Sequence, residues 1–331
     1  MKKSAIMKAM KNKKGKGMVY LFVFLALFSL SVKGYCGKKV GVYVSETGDS
    51  FLFNLIRMLF CMLIGFAVVF AEGSTKRLVP EGALLLICAL SGISNAAFLV
   101  GWLLAIQKNS MVTVDVTLTV GSIIPALLCA LCFGESILLP KMIGFLLIIL
   151  ATIILSGYNK KMKGSTDPIG IFLLLLATLG DGLSSFCQQL YRQYYRSRSG
   201  DTLYPKSVYH FYTYIFATLA LALVWTVFVF RDRKKQKLSK VSFWKKTRAV
   251  LAKPIPYIFV MAVCLFAANY FQTVATSNYG MSSQILYPVI KGGCLITVTF
   301  TAMLFFGKRP NRRSLFGSAV ALVGIVVMSI V

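Results

Sequence analysis

Leu131–Ser156, LCFGESILLPKMIGFLLIILATIILS, and Leu304–Ser329, LFFGKRPNRRSLFGSAVALVGIVVMS, align without a gap. Each starts at the end of one apolar run, passes through Phe-Gly and a tight loop, and enters a second apolar run led by glycine. Phe133-Gly134 falls on Phe306-Gly307, Gly144 on Gly317 and Ser156 on Ser329, with apolar positions matched between them. Ala105–Met111 also resembles Ala275–Met281 after a small shift. Such a recurrence marks a duplicated unit, a frequent origin of transporter folds.

The runs on either side set the fold class. Hydrophobic residues make up 57% of the 331-residue chain and charged residues 14%, with a mean hydropathy of +0.74, more apolar than a water-soluble core requires. A helix needs roughly 20 apolar residues to cross a bilayer core. Such runs occupy residues 18–35, 51–71, 82–106, 112–133, 141–157, 168–189, 207–230, 255–276, 282–306 and 313–331. They are continuous rather than alternating, which argues against barrel strands. The expectation is an all-α polytopic membrane protein of ten transmembrane helices. A basic tail, 1–17, precedes a first repeat at 18–157 and a second at 168–331. Five crossings is an odd number, so the second repeat enters from the opposite face. The result is two five-helix inverted repeats around a site near the midplane.

A net charge of +27 raises the question of nucleic acid. The 37 Lys and Arg lie almost entirely in the tail and the short stretches between runs, where they anchor spans to anionic headgroups, and no soluble domain remains to present a basic groove. The positively charged opening and first apolar run imitate a secretory signal, but Lys33-Gly34-Tyr35-Cys36 lacks a small-residue cleavage site, so the run is read as helix one. Seven of the eight cysteines fall within spans, with Cys36 near an interface, and read as small apolar fillers. Cys129 and Cys132 spell CxxC without further ligands nearby in sequence, so neither a metal nor another cofactor is expected. The absence of GxxxxGK[ST], HExxH and GxSxG motifs argues against nucleotide hydrolysis and against an enzyme.

Charge does not fix orientation. An inside amino terminus keeps the seven tail lysines inside but puts residues 231–253, with ten Lys or Arg, outside. The raw count favours the reverse arrangement.

In the first half, an arginine in span two (Arg57), a small-residue-rich span three ending before the polar stretch Gln107–Ser110, a proline in span four (Pro125) and a terminal Gly134-Glu135 follow one another. With the duplicated architecture, this order resembles the drug/metabolite transporter superfamily in its ten-span, EamA-like form, over nearly the whole chain. The second half departs from the pattern, reading Gly307-Lys308 in place of Gly-Glu. The resemblance implies ten helices with both termini cytoplasmic. It also implies a cargo among amino acids, other metabolites, drugs, nucleotide sugars or sugar phosphates.

Ionisable groups within spans cost ~2.5–3.5 kcal/mol each on insertion scales, so those that persist are usually paired, interior or water-lining. Lys291 stands in Tyr287-Pro288-Val289-Ile290-Lys291-Gly292-Gly293, where proline and paired glycines are expected to loosen the helix and line a cavity. It would hold a carboxylate or phosphate there, or else form a structural pair or snorkel to an interface. Asp115 opens span four, the repeat equivalent of span nine, so it either faces Lys291 across a central cavity or caps its own helix. Asp181, in LGDGLSS with Ser184, Ser185 and Gln188 on its face, is either a proton-exchanging carboxylate or part of an interhelical network. Arg57 is read one turn inside span two, where it pairs or snorkels. Asn95 in span three and Asn269 and Gln272 in span eight complete the polar set, while His210 reads as structural. The substrate-binding candidates are thus Lys291, Asp115, Asn95, Asn269, Gln272, Tyr287 and Asp181.

The function these features predict is a secondary transporter or permease in the plasma membrane, moving a small solute by alternating access as a monomer or dimer. A flippase for an anionic lipid carrier and a non-transporting membrane scaffold are the alternatives.

Overall fold

Backbone amides and carbonyls in hydrocarbon have no water to bond, so chains this apolar close their hydrogen bonds within helices. The computed structural model describes residues 2–44, 47–108, 117–119, 121–135, 138–156, 168–195, 204–236, 251–306 and 312–329. Among these, all regular secondary structure is helical. We number the α-helices α1 (Lys2–Gly41), α2 (Thr47–Ala71), α3 (Gly82–Lys108), α4 (Ile123–Phe133), α5 (Leu139–Ser156), α6 (Pro168–Tyr195), α7 (Lys206–Gln236), α8 (Ile255–Ser277), α9 (Ser283–Phe306) and α10 (Arg312–Ser329), with a 3-10 turn at Ser74–Arg77. Six are long and apolar enough to cross a membrane: the Gly17–Gly41 part of α1, the Gly48–Ala71, Gly82–Ala105 and Lys206–Phe230 parts of α2, α3 and α7, and all of α6 and α8. Thr117–Phe133, Leu139–Ile154 and Leu315–Val327 are shorter apolar helices.

The distribution of polarity is that of an all-α membrane protein. Large apolar side chains such as Phe24, Phe66, Leu131, Leu175 and Leu223 face outward, while Asn54, Arg57, Asn95, Gln188, Gln189 and His210 are buried. Water would reject the first set and hydrocarbon the second.

Packing joins helices distant in sequence. α1 lies along α8, α2 along α7, α3 against both α6 and α7, and α5 along α10. Glycines make the closest crossings: a Cβ on Gly101 of α3 would come within 2.8 Å of backbone atoms of Leu173 and Ala177 on α6, and one on Gly324 of α10 within 2.8 Å of the Gly144 carbonyl on α5. Small residues replace the hydrophobic drive that lipid cannot supply. Gly134 ends α4 at φ +65°, a left-handed conformation suited to glycine, which accounts for the tight loop after Phe133.

The basic stretch 1–17 is helical from Lys2, because Lys, Met and Ala propagate a helix well, and the first apolar segment continues to Gly41. Two expectations need correction. α9 runs unbroken through Pro288, and Gly292 and Gly293 do not loosen it. They are close-approach points instead, since a Cβ on Gly293 would lie 2.7 Å from Leu27 of α1 and one on Gly292 3.2 Å from Ile148 of α5. Finally, α2 begins at Thr47, which places Arg57 ten residues along the helix and well inside it.

Candidate functional site

Local sequence explains how Asp181 faces the interior. In LGDGLSS, Gly180, Asp181 and Gly182 follow one another at about 100° around α6. A Cβ on Gly180 would lie 2.6 Å from the Ser94 carbonyl and the Phe98 amide of α3, and one on Gly182 would lie 2.7 Å from Ile124 of α4. The two glycines seat α6 against α3 on one side and α4 on the other, and the intervening aspartate points toward α9. There its Oδ2 meets Lys291 Nζ at 2.7 Å, with the side chains 20% and 26% exposed. Lys291 therefore does not snorkel: its ammonium is held inside by a carboxylate.

One turn along α9, Tyr287 is buried. Its hydroxyl lies 2.6 Å from the Ser185 carbonyl and 3.2 Å from Gln188 Oε1, and accepts from Gln189 Nε2 at 3.3 Å. The Arg192 guanidinium extends the line, donating to Gln189 Oε1 and the Met281 carbonyl, both at 3.3 Å. Long side chains rather than closely packed backbones join α6 to α9 along this seam.

A second cluster ties α7 to α8. Asn269 donates to the Tyr214 hydroxyl at 3.0 Å, and the Thr273 hydroxyl donates to the Asn269 carbonyl at 2.9 Å. His210 Nε2 is 3.0 Å from that same Thr273 hydroxyl, whose proton is already engaged, so the imidazole is the donor in this contact. His210 is packed among Tyr209, Tyr214, Phe266 and Tyr270.

Of the predicted site residues, Asp181 and Lys291 meet directly, Tyr287 joins the same α6–α9 seam through Ser185, Gln188 and Gln189, and Asn269 belongs to the second cluster. Asn95 and Gln272 are buried. Asp115 lies outside the described residues; among the described residues, Asp181 pairs with Lys291. The eight cysteines are free thiols; Cys129 is buried and Cys132 exposed, so the CxxC pair does not converge on one environment.

Sequence reasoning passed over three participants, Lys33, Asn54 and Glu72, and placed Arg57 too near the helix end. Lys33, given no role near the end of the first run, lies two turns inside α1, within electrostatic reach of Arg57, Lys291 and Asp181, with its ammonium 5.9 Å from the Phe98 ring centroid. Asn54 accepts from Arg57 Nη2 at 2.7 Å and donates to the Leu99 carbonyl at 3.3 Å. Arg57 is 2% exposed, which argues against the snorkelling alternative of its sequence reading. At the opposite end of α2, Glu72 accepts from Ser207 of α7 at 2.6 Å and from the Tyr270 hydroxyl of α8. Four-residue spacing on α1 and three-residue spacing on α2 were the available signals for Lys33–Gly37 and Asn54–Arg57.

No protein-family model matches this chain, and no curated protein matches it. A solved structure named only as a crystal structure of a protein is similar to it at a TM-score of 0.71 and 14% identity, covering 95% of this chain and 97% of the other. That likeness concerns the fold alone, and it extends end to end over two chains of similar length.

Proposed function

We propose that the chain is a multi-pass secondary transporter of the plasma membrane, built as ten spans in two inverted repeats. It carries a small metabolite or drug-like solute by alternating access, in the manner of the drug/metabolite transporters it resembles. The observation that carries this reading is the Asp181–Lys291 pair, which joins α6 to α9 through a polar seam inside an apolar bundle. Charges kept at membrane depth mark solute or ion pathways.

Helix packing supports the repeat. Exchanging each helix for the one five places later carries the α1–α8 contact onto α6–α3, α2–α8 onto α7–α3, and α1–α9 onto α6–α4; it returns α2–α7, α4–α9 and α5–α10 to themselves. This is the relation a twofold axis in the membrane plane would impose.

Two sets of contacts support a closed passage on the side of residues 72–81 and 278–282. Glu72 binds Ser207 and Tyr270, and Arg192 binds the Gly280 and Met281 carbonyls. Glu72→Ala is expected to loosen this closure. In a cysteine-free background, Gln189→Cys should then react with an impermeant maleimide from that side roughly five- to tenfold faster, the effect of losing one or two charge-assisted hydrogen bonds. An unchanged rate would remove Glu72 from the closure.

Flux tests the function itself. Purified protein in liposomes, offered pooled amino acids, other organic anions and cationic dyes, is expected to give saturable movement of one pool. Folded protein that moves none would shift the reading to lipid handling or scaffolding. Cysteines placed in residues 231–253 and labelled in intact cells report the orientation: labelling is expected if both termini are cytoplasmic, since seven crossings then put that stretch outside, and no labelling would reverse the orientation.

A further inference from the structure

We propose that the pocket beside Arg57 is a halide site, holding a single chloride ion as the resident counter-ion of the buried guanidinium. The site goes beyond the carrier reading and stands apart from the Asp181–Lys291 seam. Arg57 is the most deeply buried charge described, at 2% exposure. Its Nη2 donates to Asn54 Oδ1 at 2.7 Å, but its Nε has no hydrogen-bond partner, and no carboxylate among the described residues lies within ion-pair distance. Asn54 is itself buried and neutral. Its amide gives one hydrogen to the Leu99 carbonyl at 3.3 Å, which leaves a second N–H with no partner among the described residues. A guanidinium held inside a bundle without a counter-charge is costly, and a water would satisfy its N–H groups without neutralising it.

Space decides which anion can serve. Gly37 of α1, Asn54 and Arg57 of α2, Trp102 of α3, and Ile258 and Met261 of α8 line a pocket with room for about one water. A carboxylate, phosphate or sulfate, each with several heavy atoms, does not fit there. A monatomic anion, only slightly larger than a water, does. The pocket presents N–H donors from two side chains, its other walls are apolar, and none of its lining residues is acidic, so nothing in it repels an anion. Gly37 stands one turn before the end of α1 and Ile258 one turn after the start of α8, so the ion exchanges with water at that face. Held where α1, α2, α3 and α8 meet, it stabilises the folded bundle according to its occupancy.

The test is the thermal midpoint of the full-length protein in nanodiscs as sodium chloride replaces sodium gluconate at constant ionic strength. Expected is a rise that saturates, reaching roughly 2–4 °C once chloride exceeds its Kd about tenfold. Sodium sulfate, too large for the pocket, should give no such rise. Arg57→Gln removes the charge that calls for a counter-ion, and its midpoint should be independent of chloride. Gly37→Ala leaves every charge in place. Its Cβ would meet Trp102 at 3.4 Å and Met261 at 3.5 Å, ordinary contacts that preserve the fold while adding a methyl to a pocket the size of a water. That variant should likewise lose the saturable response, and it decides the matter alone if Arg57→Gln does not fold. A midpoint that does not respond to chloride in the wild type would mean that the pocket holds water, and would overturn the proposal. So would a response shared by sulfate, or one retained in full by Gly37→Ala. None of these readouts requires flux, so the halide site and the carrier reading stand or fall separately.

Discussion

Lys291→Ala is expected to reduce saturable flux roughly 100-fold while leaving most of the protein folded, the loss anticipated when a membrane-depth charge on a solute pathway is removed. The folded state should survive because the surviving partner is not sealed in. Asp181 and Lys291 are 20% and 26% exposed, so an orphaned Asp181 keeps some access to water. Breaking a fully buried pair costs about 3–5 kcal/mol, and partial exposure brings the expected loss to about 1–3 kcal/mol. Asp181→Asn should behave alike in stability, since the amide keeps one hydrogen bond to the lysine.

The exchange of partners decides between a structural and a functional pair. Asp181→Lys combined with Lys291→Asp restores an ion pair between α6 and α9 but reverses which helix carries the cation. If the pair only braces the bundle, both stability and flux should recover. We expect thermal stability to recover and flux to remain below about a tenth of wild type, because a solute group that engages the Lys291 ammonium would meet a carboxylate there. Recovery of full flux in the exchanged protein would reassign the pair to a purely structural role.

How far the sequence discloses the site depends on the range of the interaction concerned. The helices were legible because each is written as one contiguous run, and the apolar boundaries at 82, 168, 255 and 306 fall within a few residues of the ends of α3, α6, α8 and α9. Asp181, Lys291 and Tyr287 were legible because a polar group inside an apolar run is conspicuous wherever the chain later places it. Their pairing was not legible. It depends on which way α6 rotates, and that is set by Gly180 and Gly182 meeting α3 and α4, contacts made with residues far away in the chain. Arg57 was misjudged for a related reason. Its depth was measured from the start of an apolar run at 51, whereas α2 begins at Thr47, moving the charge inward. Glu72 lay outside every run and carried no signal until Ser207 and Tyr270 were brought to it.

Gly180→Val is expected to abolish accumulation of folded protein, and the reason lies in what the new side chain would meet. A Cβ at Gly180 would stand 2.6 Å from the Phe98 nitrogen and the Ser94 oxygen and 3.0 Å from the Phe98 Cα, all backbone atoms of α3 that no rotamer change can move aside. Gly101 repeats the constraint from the other partner, a Cβ there meeting the Ala177 nitrogen and Leu173 oxygen of α6 at 2.8 Å. The α3–α6 crossing is therefore fixed at two points by glycine on each helix in turn, and separating the helices forfeits the dispersion contacts on which association in lipid depends. Even Gly180→Ala must move α3 and α6 apart, and with α6 goes Asp181, the next residue, away from Lys291. Its expected signature is a flux defect out of proportion to its loss of thermal stability. Gly34→Ala supplies the control: nothing lies within 4 Å of a Cβ there, and on an open helical position alanine should be neutral or stabilising by up to about 1 kcal/mol. If Gly180→Val and Gly34→Ala yielded equal amounts of monodisperse, equally stable protein, α3 and α6 would not pack as described, and the orientation of Asp181 toward α9 would lose its cause.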